Sequence, residues 1–393
     1  MTTRRTAVSA ALLALLLPLA AAGVSTAAEA SPAAAARPAA SFDPQRTPAE
    51  LPHPTGRFAV GQETLHLVDR RRTDPWAHAG PRELMVTMRY PARPGTGGPA
   101  PYLTAEEARL LLIDRELDQV IPAETLAGTR THSRSGARPV GGRYPLIVLS
   151  PGFTVPRATL TSLAEDLASR GYVVAAVDHA YESAATALPG GRVRECLACD
   201  QVDGPDGVRA VTEVRARDVS FLLDRLTARH PAWRHADLID RSRIAMAGHS
   251  IGGASSLAAM AADRRIRAAI DMDGGFATPR PGSGAGGRPF MLLGAQANGP
   301  GAIDSWDEGW PRLDGWKRWI TFAGSGHFTF TDFPAIADQL GLPDPDAPLA
   351  GARSVELTRR YVGAFFEQHL KGRPQPVLDG PAADAPEVRF HTP

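Results

Sequence analysis

This chain has very few cysteines and almost no net charge. It has 393 residues, only two of which are cysteines, and a formal net charge of +1. A protein that binds nucleic acid through its phosphates needs a basic excess, so this balance indicates no nucleic-acid partner. Two cysteines cannot complete a four-cysteine metal site. We find no nucleotide-binding loop and no cluster of metal ligands, and we expect neither a cofactor nor a metal.

A continuous run of about 20 strongly apolar residues, as a membrane span requires, is also missing. The nearest candidate, residues 6–28, is rich in alanine and contains Pro18. Two arginines precede it and small residues follow it, which predicts a signal peptide over residues 1–30, cleaved near Ala30. The mature protein is therefore expected to be secreted. A membrane anchor is the alternative interpretation of the same segment.

The rest of the chain predicts a proline-rich spacer followed by one α/β domain. Residues 31–55 carry six prolines separated largely by alanine, a composition that stays extended. From residue 56 to residue 393, short apolar runs alternate with helical patterns, which predicts a mostly parallel central sheet with helices on both faces. The polar stretches 91–143 and 180–209 are predicted cap segments. Strands are predicted at 57–60, 63–68, 83–90, 144–150, 172–177, 243–247, 266–272, 289–293 and 318–322, and helices at 105–117, 158–170, 208–229, 253–262 and 355–370.

The motif Gly-His-Ser-Ile-Gly at residues 248–252 indicates a nucleophilic serine. A G-x-S-x-G turn between a strand and a helix needs small neighbours and leaves the serine hydroxyl exposed at the edge of the sheet. A short apolar run, residues 244–247, precedes this motif and a segment of small residues follows it, as that context requires. Ser250 is therefore the predicted nucleophile. The alternative is a glycine-rich turn capped by a serine.

A serine hydroxyl needs a histidine to accept its proton, and after such a motif the partners follow in the order serine, acid, histidine. Three histidines follow Ser250: His327, His369 and His391. His327 lies in a short glycine-containing loop just after a predicted strand, so it is the predicted general base. A loop histidine bonded to the backbone is the alternative for His327, whereas His249 is expected to serve packing.

Four aspartates satisfy the same chain order for the acid. Asp271 and Asp273 end the strand after the nucleophile helix, and Asp304 and Asp307 follow the next strand. Asp273 is the better of the first pair because it lies at the carboxyl end of its strand, where reactive groups of open α/β sheets gather. Asp271 is expected to be a turn or capping residue.

Several ordered blocks between residues 144 and 333 resemble the plasma, or type II, platelet-activating-factor acetylhydrolases and their bacterial relatives. The blocks are SPGFT at 150–154, LAEDLASRGYVVAAVDH at 163–179, GHSIGGA at 248–254, RIRAAIDMD at 265–273 and GHFTFTDF at 326–333. The resemblance implies an α/β-hydrolase fold and a catalytic triad of Ser250, Asp273 and His327. It also implies that the backbone N–H groups of Phe153 and Ile251 form the oxyanion hole. Pro151 departs from the family, which usually has histidine there.

The implied activity is that of a serine carboxylic-ester hydrolase acting on short-acyl lipid or small esters through an acyl-enzyme. An acyltransferase or a polyester or cutin-type hydrolase on the same fold is the main alternative. A non-catalytic binding module is a further alternative, because fold alone does not fix function. The partners expected are an ester substrate and a transient contact with a lipid interface.

Two further features leave alternatives open. In a secreted protein, Cys196 and Cys199 are expected to form a disulfide rather than a zinc or redox site. Four tryptophans close together in the chain indicate either core packing or a lipid-facing rim. These are Trp306, Trp310, Trp316 and Trp319.

Overall fold

A computed structural model describes residues 48–277 and 285–393. The predicted signal peptide and most of the predicted spacer lie outside these residues. The described strands are β1 (Ala59–Thr73), β2 (Pro81–Ala92), β3 (Gly98–Pro99), β4 (Ser133–Ser135), β5 (Tyr144–Ser150), β6 (Val173–His179), β7 (Thr186–Leu188), β8 (Arg192–Arg194), β9 (Ile239–His249), β10 (Ile266–Met272), β11 (Phe290–Gly294), β12 (Lys317–Phe322) and β13 (Val388–His391). The described α-helices are α1 (Ala105–Asp114), α2 (Ala123–Ala127), α3 (Thr161–Ser169), α4 (Gly204–Thr227), α5 (Ile251–Ala262), α6 (Asp304–Gly309), α7 (Phe333–Leu340) and α8 (Gly351–Lys371).

Eleven of these strands form a single sheet in the order β13-β12-β11-β10-β9-β5-β6-β2-β1-β4-β3, and β7 pairs with β8 in a separate hairpin. The six central strands β12, β11, β10, β9, β5 and β6 are parallel to one another. Strands β13, β2 and β1 extend the sheet in antiparallel pairs. This arrangement confirms the predicted fold class, an α/β-hydrolase fold with a mostly parallel sheet.

Helices cover both faces of the sheet because its central strands are apolar on both sides. In β9, Ile244 and Met246 join a core cluster with residues of α4 and α5. The alternate residues Ala245 and Ala247 join a second cluster with residues of α3 and α8. The two clusters hold the central strands rigidly, so that their carboxyl ends can present side chains at fixed positions.

The domain begins before residue 56, where the sequence places its boundary. Leu51 is buried in a cluster with the predicted cap segment. The Thr55 backbone N–H donates to the Asp166 carboxylate at 2.7 Å. Residues 48–55 therefore lie against the domain, although the spacer was expected to extend to residue 55.

The segment 91–143 lies beside the carboxyl ends of the parallel strands. Its helices α1 and α2 bury Leu111 and Leu126. At the end of α1, the Arg115 guanidinium bonds to the Thr154 hydroxyl and lies 5.2 Å from the centre of the Phe328 ring. Since Phe328 follows His327 directly, α1 borders the predicted catalytic histidine. No helix among the described residues has the length and apolar character needed to span a membrane.

Candidate active site

Ser250 lies on a sharp turn between β9 and α5. Its φ of 55° and ψ of −128° are unusual for a residue with a side chain. Its N–H donates to the Met272 carbonyl at 2.8 Å, which holds the turn against the neighbouring strand β10. A Cβ on Gly252 would lie 2.1 Å from the Ser150 backbone carbonyl oxygen, so the turn requires glycine at this position. The local sequence thus forms the strained turn that presents a serine hydroxyl.

Asp273 and His327 form a hydrogen-bonded pair at the same edge of the sheet. His327 Nδ1 lies 2.6 Å from Asp273 Oδ2, with the histidine side chain 45% exposed and the carboxylate 1% exposed. The other oxygen, Asp273 Oδ1, accepts from the Ala295 N–H and the Asn298 amide, each at 2.6 Å. The carboxylate is thus fixed from one side and holds the imidazole on the other.

Ser250 lies close to this pair, as contacts of the neighbouring residues Gly274 and His249 show. A Cβ on Gly274, which follows Asp273, would lie only 2.0 Å from the Ser250 carbonyl oxygen. The ring of His249, which precedes Ser250, is 4.7 Å from the His327 ring. In the described residues, no hydrogen bond joins the Ser250 hydroxyl to His327. Such bonds are often long in a site without substrate.

The other candidate acids have different environments. Asp271 is buried, its Oδ1 accepts the Gly274 N–H at 2.8 Å, and burial raises its pKa well above the usual range. Asp307 accepts the Gly301 N–H at 2.9 Å within the loop at the start of α6, and Asp304 is exposed in the first turn of the same helix. Of the four aspartates, Asp273 is the one paired with His327.

The predicted oxyanion donors flank the nucleophile. Within the described residues, neither the Phe153 N–H nor the Ile251 N–H has a hydrogen-bond partner. Gly152, next to Phe153, lies so close to the nucleophile that a Cβ there would be 3.4 Å from Ser250 Cβ. Phe153 and Ile251 also belong to the same cluster of apolar side chains. Two free N–H groups beside a serine are the arrangement that stabilises a tetrahedral oxyanion.

His249 has a role that the sequence did not reveal beyond packing. Its Nε2 lies 2.7 Å from the His327 backbone carbonyl oxygen. Burial, followed by the proximity of His327, lowers the His249 pKa well below its usual value. A neutral His249 therefore donates from Nε2 to the loop that carries His327, the predicted general base. Its position next to the motif serine is the one signal that the sequence offers.

The sequence also missed a set of buried charged residues beneath the Phe153 loop. Arg215 donates to the Ser150 hydroxyl at 3.2 Å, and His179 lies 3.1 Å from the same hydroxyl. Arg215 and Asp218 occupy positions on the buried face of the amphipathic helix α4. Charged residues on such a face are the signal that could have located them.

Two predictions outside the site have different outcomes. Cys196 and Cys199 are joined by a disulfide in the segment 180–209. Three of the four clustered tryptophans are buried, and Trp316 packs against Phe365 in the core. A lipid-facing rim at these tryptophans is therefore wrong, because three of the rings belong to the core cluster on one face of the sheet and the fourth packs against the cluster on the other face. The buried ones are Trp306, Trp310 and Trp319.

One group of side chains in the described residues could bring three ligand atoms to a metal ion: Glu50, His53 and His132. Two of these side chains already have other partners. The Glu50 carboxylate pairs with Arg130, and His132 Nε2 lies 2.7 Å from the Leu51 carbonyl oxygen. The group holds residues 48–55 against the domain rather than lining the Ser250 turn.

The chain is similar to a known protein family and to several named esterases. The family model described as "Platelet-activating factor acetylhydrolase, isoform II" matches residues 110–190 and 226–342. The chain is 29% identical to a "Probable 1-alkyl-2-acetylglycerophosphocholine esterase" of Arthroderma benhamiae over 86% of this chain and 93% of that protein. It is 32% identical to "Cutinase est2" of Thermobifida alba over 36% of this chain and 41% of that protein. Among solved structures, a ferulic acid esterase from Streptomyces cinnamoneus is similar with a TM-score of 0.79 and 45% identity, covering 88% of this chain and all of that one.

Proposed function

Since this chain belongs to the platelet-activating factor acetylhydrolase isoform II family and is a carboxylic-ester hydrolase, we propose that it cleaves esters through a triad of Ser250, His327 and Asp273. The observation that carries the proposal is the 2.6 Å contact between His327 Nδ1 and the buried Asp273 carboxylate, next to the strained turn of Ser250. Asp271, Asp304 and Asp307 lack this contact.

In the proposed mechanism, Asp273 accepts the Nδ1–H of His327 and so leaves the Nε2 lone pair free to take the Ser250 proton. The Ser250 oxygen attacks the ester carbonyl carbon. The N–H groups of Phe153 and Ile251 stabilise the oxyanion that forms. The histidine then gives its proton to the leaving alcohol, and water hydrolyses the acyl-enzyme by the same steps in reverse order.

We propose short-acyl lipid or small esters as the substrate class. The Arthroderma benhamiae relative, which aligns over most of both chains, is named as a probable 1-alkyl-2-acetylglycerophosphocholine esterase. A second candidate is an ester with an aromatic acyl group. It is favoured by the 45% identity to the ferulic acid esterase along the whole of that chain. Half-buried Phe153 and Phe328 flank the proposed triad and could stack on an aromatic ring.

The triad is tested by the variants Ser250→Ala and His327→Ala. Each is expected to lose several orders of magnitude in kcat on p-nitrophenyl acetate, because members of such a unit fail together. A fluorophosphonate probe should label the wild-type enzyme and not Ser250→Ala. His369→Gln, a histidine in α8 that packs on Trp316, is the matched control and should keep full activity. A His327→Ala variant that keeps more than about a tenth of the activity would refute the proposed base.

The substrate class is tested with p-nitrophenyl esters of rising chain length, an acetylated phospholipid and methyl ferulate. Acetate or butyrate is expected to exceed palmitate in kcat/KM by at least about a hundredfold, because a pocket for a small acyl group clashes with long chains. A preference for methyl ferulate over the short-acyl esters and the acetylated phospholipid would favour the ester with an aromatic acyl group. A preference for palmitate would favour a lipase or cutinase type of activity, and ester formation in added alcohol would indicate acyl transfer.

We further propose that the protein is exported after cleavage near Ala30. The disulfide between Cys196 and Cys199 supports this proposal, since disulfides persist in oxidising compartments. Expression of the full chain in a secreting host, followed by N-terminal sequencing, tests it. A mature protein beginning near Ser31 in the medium is expected, and an uncleaved protein retained in the membrane fraction would instead support an anchor.

A further inference from the structure

A second Ser-His-Asp arrangement lies beneath the proposed active site. The Ser150 hydroxyl is 3.1 Å from His179 Nε2, and His179 Nδ1 is 2.8 Å from Asp218 Oδ2. The order of atoms is that of a hydrolase triad. All three side chains are buried, so no ester can reach the Ser150 hydroxyl. Some role other than nucleophilic attack must therefore account for this arrangement.

The hydrogen-bond directions follow from Arg215. A guanidinium only donates, so the Ser150 oxygen accepts from Arg215 Nη1 at 3.2 Å. The Ser150 proton then points to His179 Nε2, and the His179 Nδ1–H donates to Asp218. Burial and the charge of Arg215 lower the pKa of His179, which agrees with a neutral imidazole in this series of hydrogen bonds. The Ser150 hydroxyl is thus fully engaged and held in one orientation.

Arg215 holds three consecutive residues that lead to the proposed oxyanion donor Phe153. Besides the Ser150 hydroxyl, it donates to the Pro151 carbonyl oxygen and, through Nη2 at 3.4 Å, to the Gly152 carbonyl oxygen. Proline has no N–H, so a carbonyl is the only backbone group by which a partner can hold residue 151 through a hydrogen bond. Because Ser150 ends β5, these contacts fix the chain from the end of the strand to the residue before Phe153.

Glu182 connects Arg215 to the other side of the same loop. Its carboxylate accepts from Arg215 Nε at 2.7 Å and from Arg82 Nη2 at 2.7 Å. Its backbone carbonyl accepts the Thr154 N–H at 2.9 Å. Thr154 follows Phe153 and has a φ of 67°, a strained value for a residue with a side chain. The loop is therefore fastened both before and after Phe153, and both fastenings meet at one buried ion pair.

From this geometry we infer that Arg215, together with the buried relay Ser150–His179–Asp218, positions the loop of residues 151–154. We call this segment, which carries Phe153, the oxyanion loop. The inference rests on the proposed function, in which the Phe153 N–H stabilises the oxyanion. An oxyanion donor acts only when it is held within a fraction of an ångström of its working position. Where the family usually has histidine, this chain has Pro151, and Arg215 holds its carbonyl from beneath.

The inference is tested with Arg215→Met, which keeps an unbranched aliphatic stem and removes the hydrogen-bond donors. We expect kcat per active site to fall by about a hundredfold, with KM within about threefold, because an oxyanion contact strengthens in the transition state. The Ki of a trifluoromethyl ketone, which forms an oxyanion on the serine, should rise by a similar factor. Active sites are counted by fluorophosphonate labelling, so that unfolded protein does not enter kcat.

Arg359→Met is the matched control. Arg359 is also buried and donates to backbone carbonyl oxygens, those of Pro52, His53 and Ser162. The Arg359→Met variant should lose stability without losing kcat per active site. A kcat of Arg215→Met within about threefold of wild type, or an equal loss in the control, would overturn the inference.

Ser150→Ala serves as a second variant in case Arg215→Met fails to fold. It leaves the two carbonyl contacts of Arg215 intact and is expected to lower kcat by about fivefold to tenfold, the cost of a slightly misplaced donor. An unchanged kcat in this variant would also count against the relay. If Ser250→Ala retained wild-type activity, the proposed function itself would fail. If Ser250→Ala were inactive and Arg215→Met normal, only the positioning role would fail.

Discussion

Asp271 and Asp273 are two residues apart at the end of the same strand, yet replacing each by asparagine should change kcat to very different extents. In Asp273→Asn, the oxygen at the Oδ1 position remains fixed because both of its neighbours, Ala295 and Asn298, donate to it. The new amide NH2 must therefore occupy the Oδ2 position, where it faces His327 Nδ1. Two donors cannot face each other, so the imidazole has to present a lone pair at Nδ1 and carry its proton on Nε2.

An Nε2–H directed at Ser250 cannot accept the serine proton. The expected loss in kcat is about 10³-fold to 10⁴-fold, which corresponds to about 4 to 5.5 kcal/mol of transition-state stabilisation. Geometry and packing should change little, because asparagine has the size of aspartate. The variant is expected to unfold at a temperature close to that of the wild type and to retain its KM.

Asp271→Asn is the control for the same substitution. Burial raises the pKa of Asp271 well above its usual range, so replacement of this side chain by a neutral amide is expected to be tolerated. Its Oδ1 accepts the Gly274 N–H at 2.8 Å, a contact that an amide oxygen preserves. We expect kcat within about threefold of wild type. The assay is steady-state hydrolysis of p-nitrophenyl acetate with active sites counted by titration. More than about a tenth of wild-type activity in Asp273→Asn, or a larger loss in Asp271→Asn, would refute this assignment of roles.

Two further predictions concern stability. Cys196→Ser should lower the free energy of unfolding by at most about 2 kcal/mol, because the Cys196–Cys199 disulfide closes a very short loop; thermal unfolding with and without reductant measures this, and loss of the native fold would contradict it. Burial, and then the charge of Arg318, lowers the pKa of His369 to about 4, so its contribution to stability is complete above about pH 6.5 and declines as the pH falls toward 4. The free energy of unfolding, measured with urea between pH 7 and pH 4, should accordingly decline less steeply in His369→Gln than in the wild type. An equal decline would show that His369 titrates normally.

Strands buried on both faces were the elements that the sequence predicted best. The runs at 144–150 and 266–272 coincide with β5 and β10, because short, mainly apolar segments are typical of the centre of a parallel sheet. The first strand was predicted as two, at 57–60 and 63–68, but β1 is continuous over Ala59–Thr73. Gly61 does not break the strand. A Cβ there would lie 2.4 Å from the Tyr90 ring, so glycine gives room to a ring from β2.

Short strands could not be predicted, because their pairing depends on distant partners. Strand β13 (Val388–His391) pairs with β12, and His391 bonds with the Thr321 hydroxyl at 2.8 Å. The choice among the acids was limited for a similar reason. Asp271 and Asp273 share one face of a strand by alternation, so alternation cannot rank them. What separates them is Gly274, whose N–H bonds to Asp271 and thereby turns the chain at Asp273 toward His327.

The residues beneath the oxyanion loop show what a single sequence can reveal when its exceptions are weighed. Along α4, positions 211, 215, 218 and 222 follow helical spacing and all are buried. Valine and leucine occupy the outer two, whereas Arg215 and Asp218 occupy the inner two. Charges on an apolar face are costly unless other buried groups compensate them, so this pattern by itself predicts distant partners of both signs. The sequence cannot say that these partners are Glu182, Arg82 and His179, since only the folded sheet brings β2, β6 and α4 together. A charged pair in the apolar stripe of a helix next to a nucleophile motif is therefore a reason to search for a buried network that positions the active site.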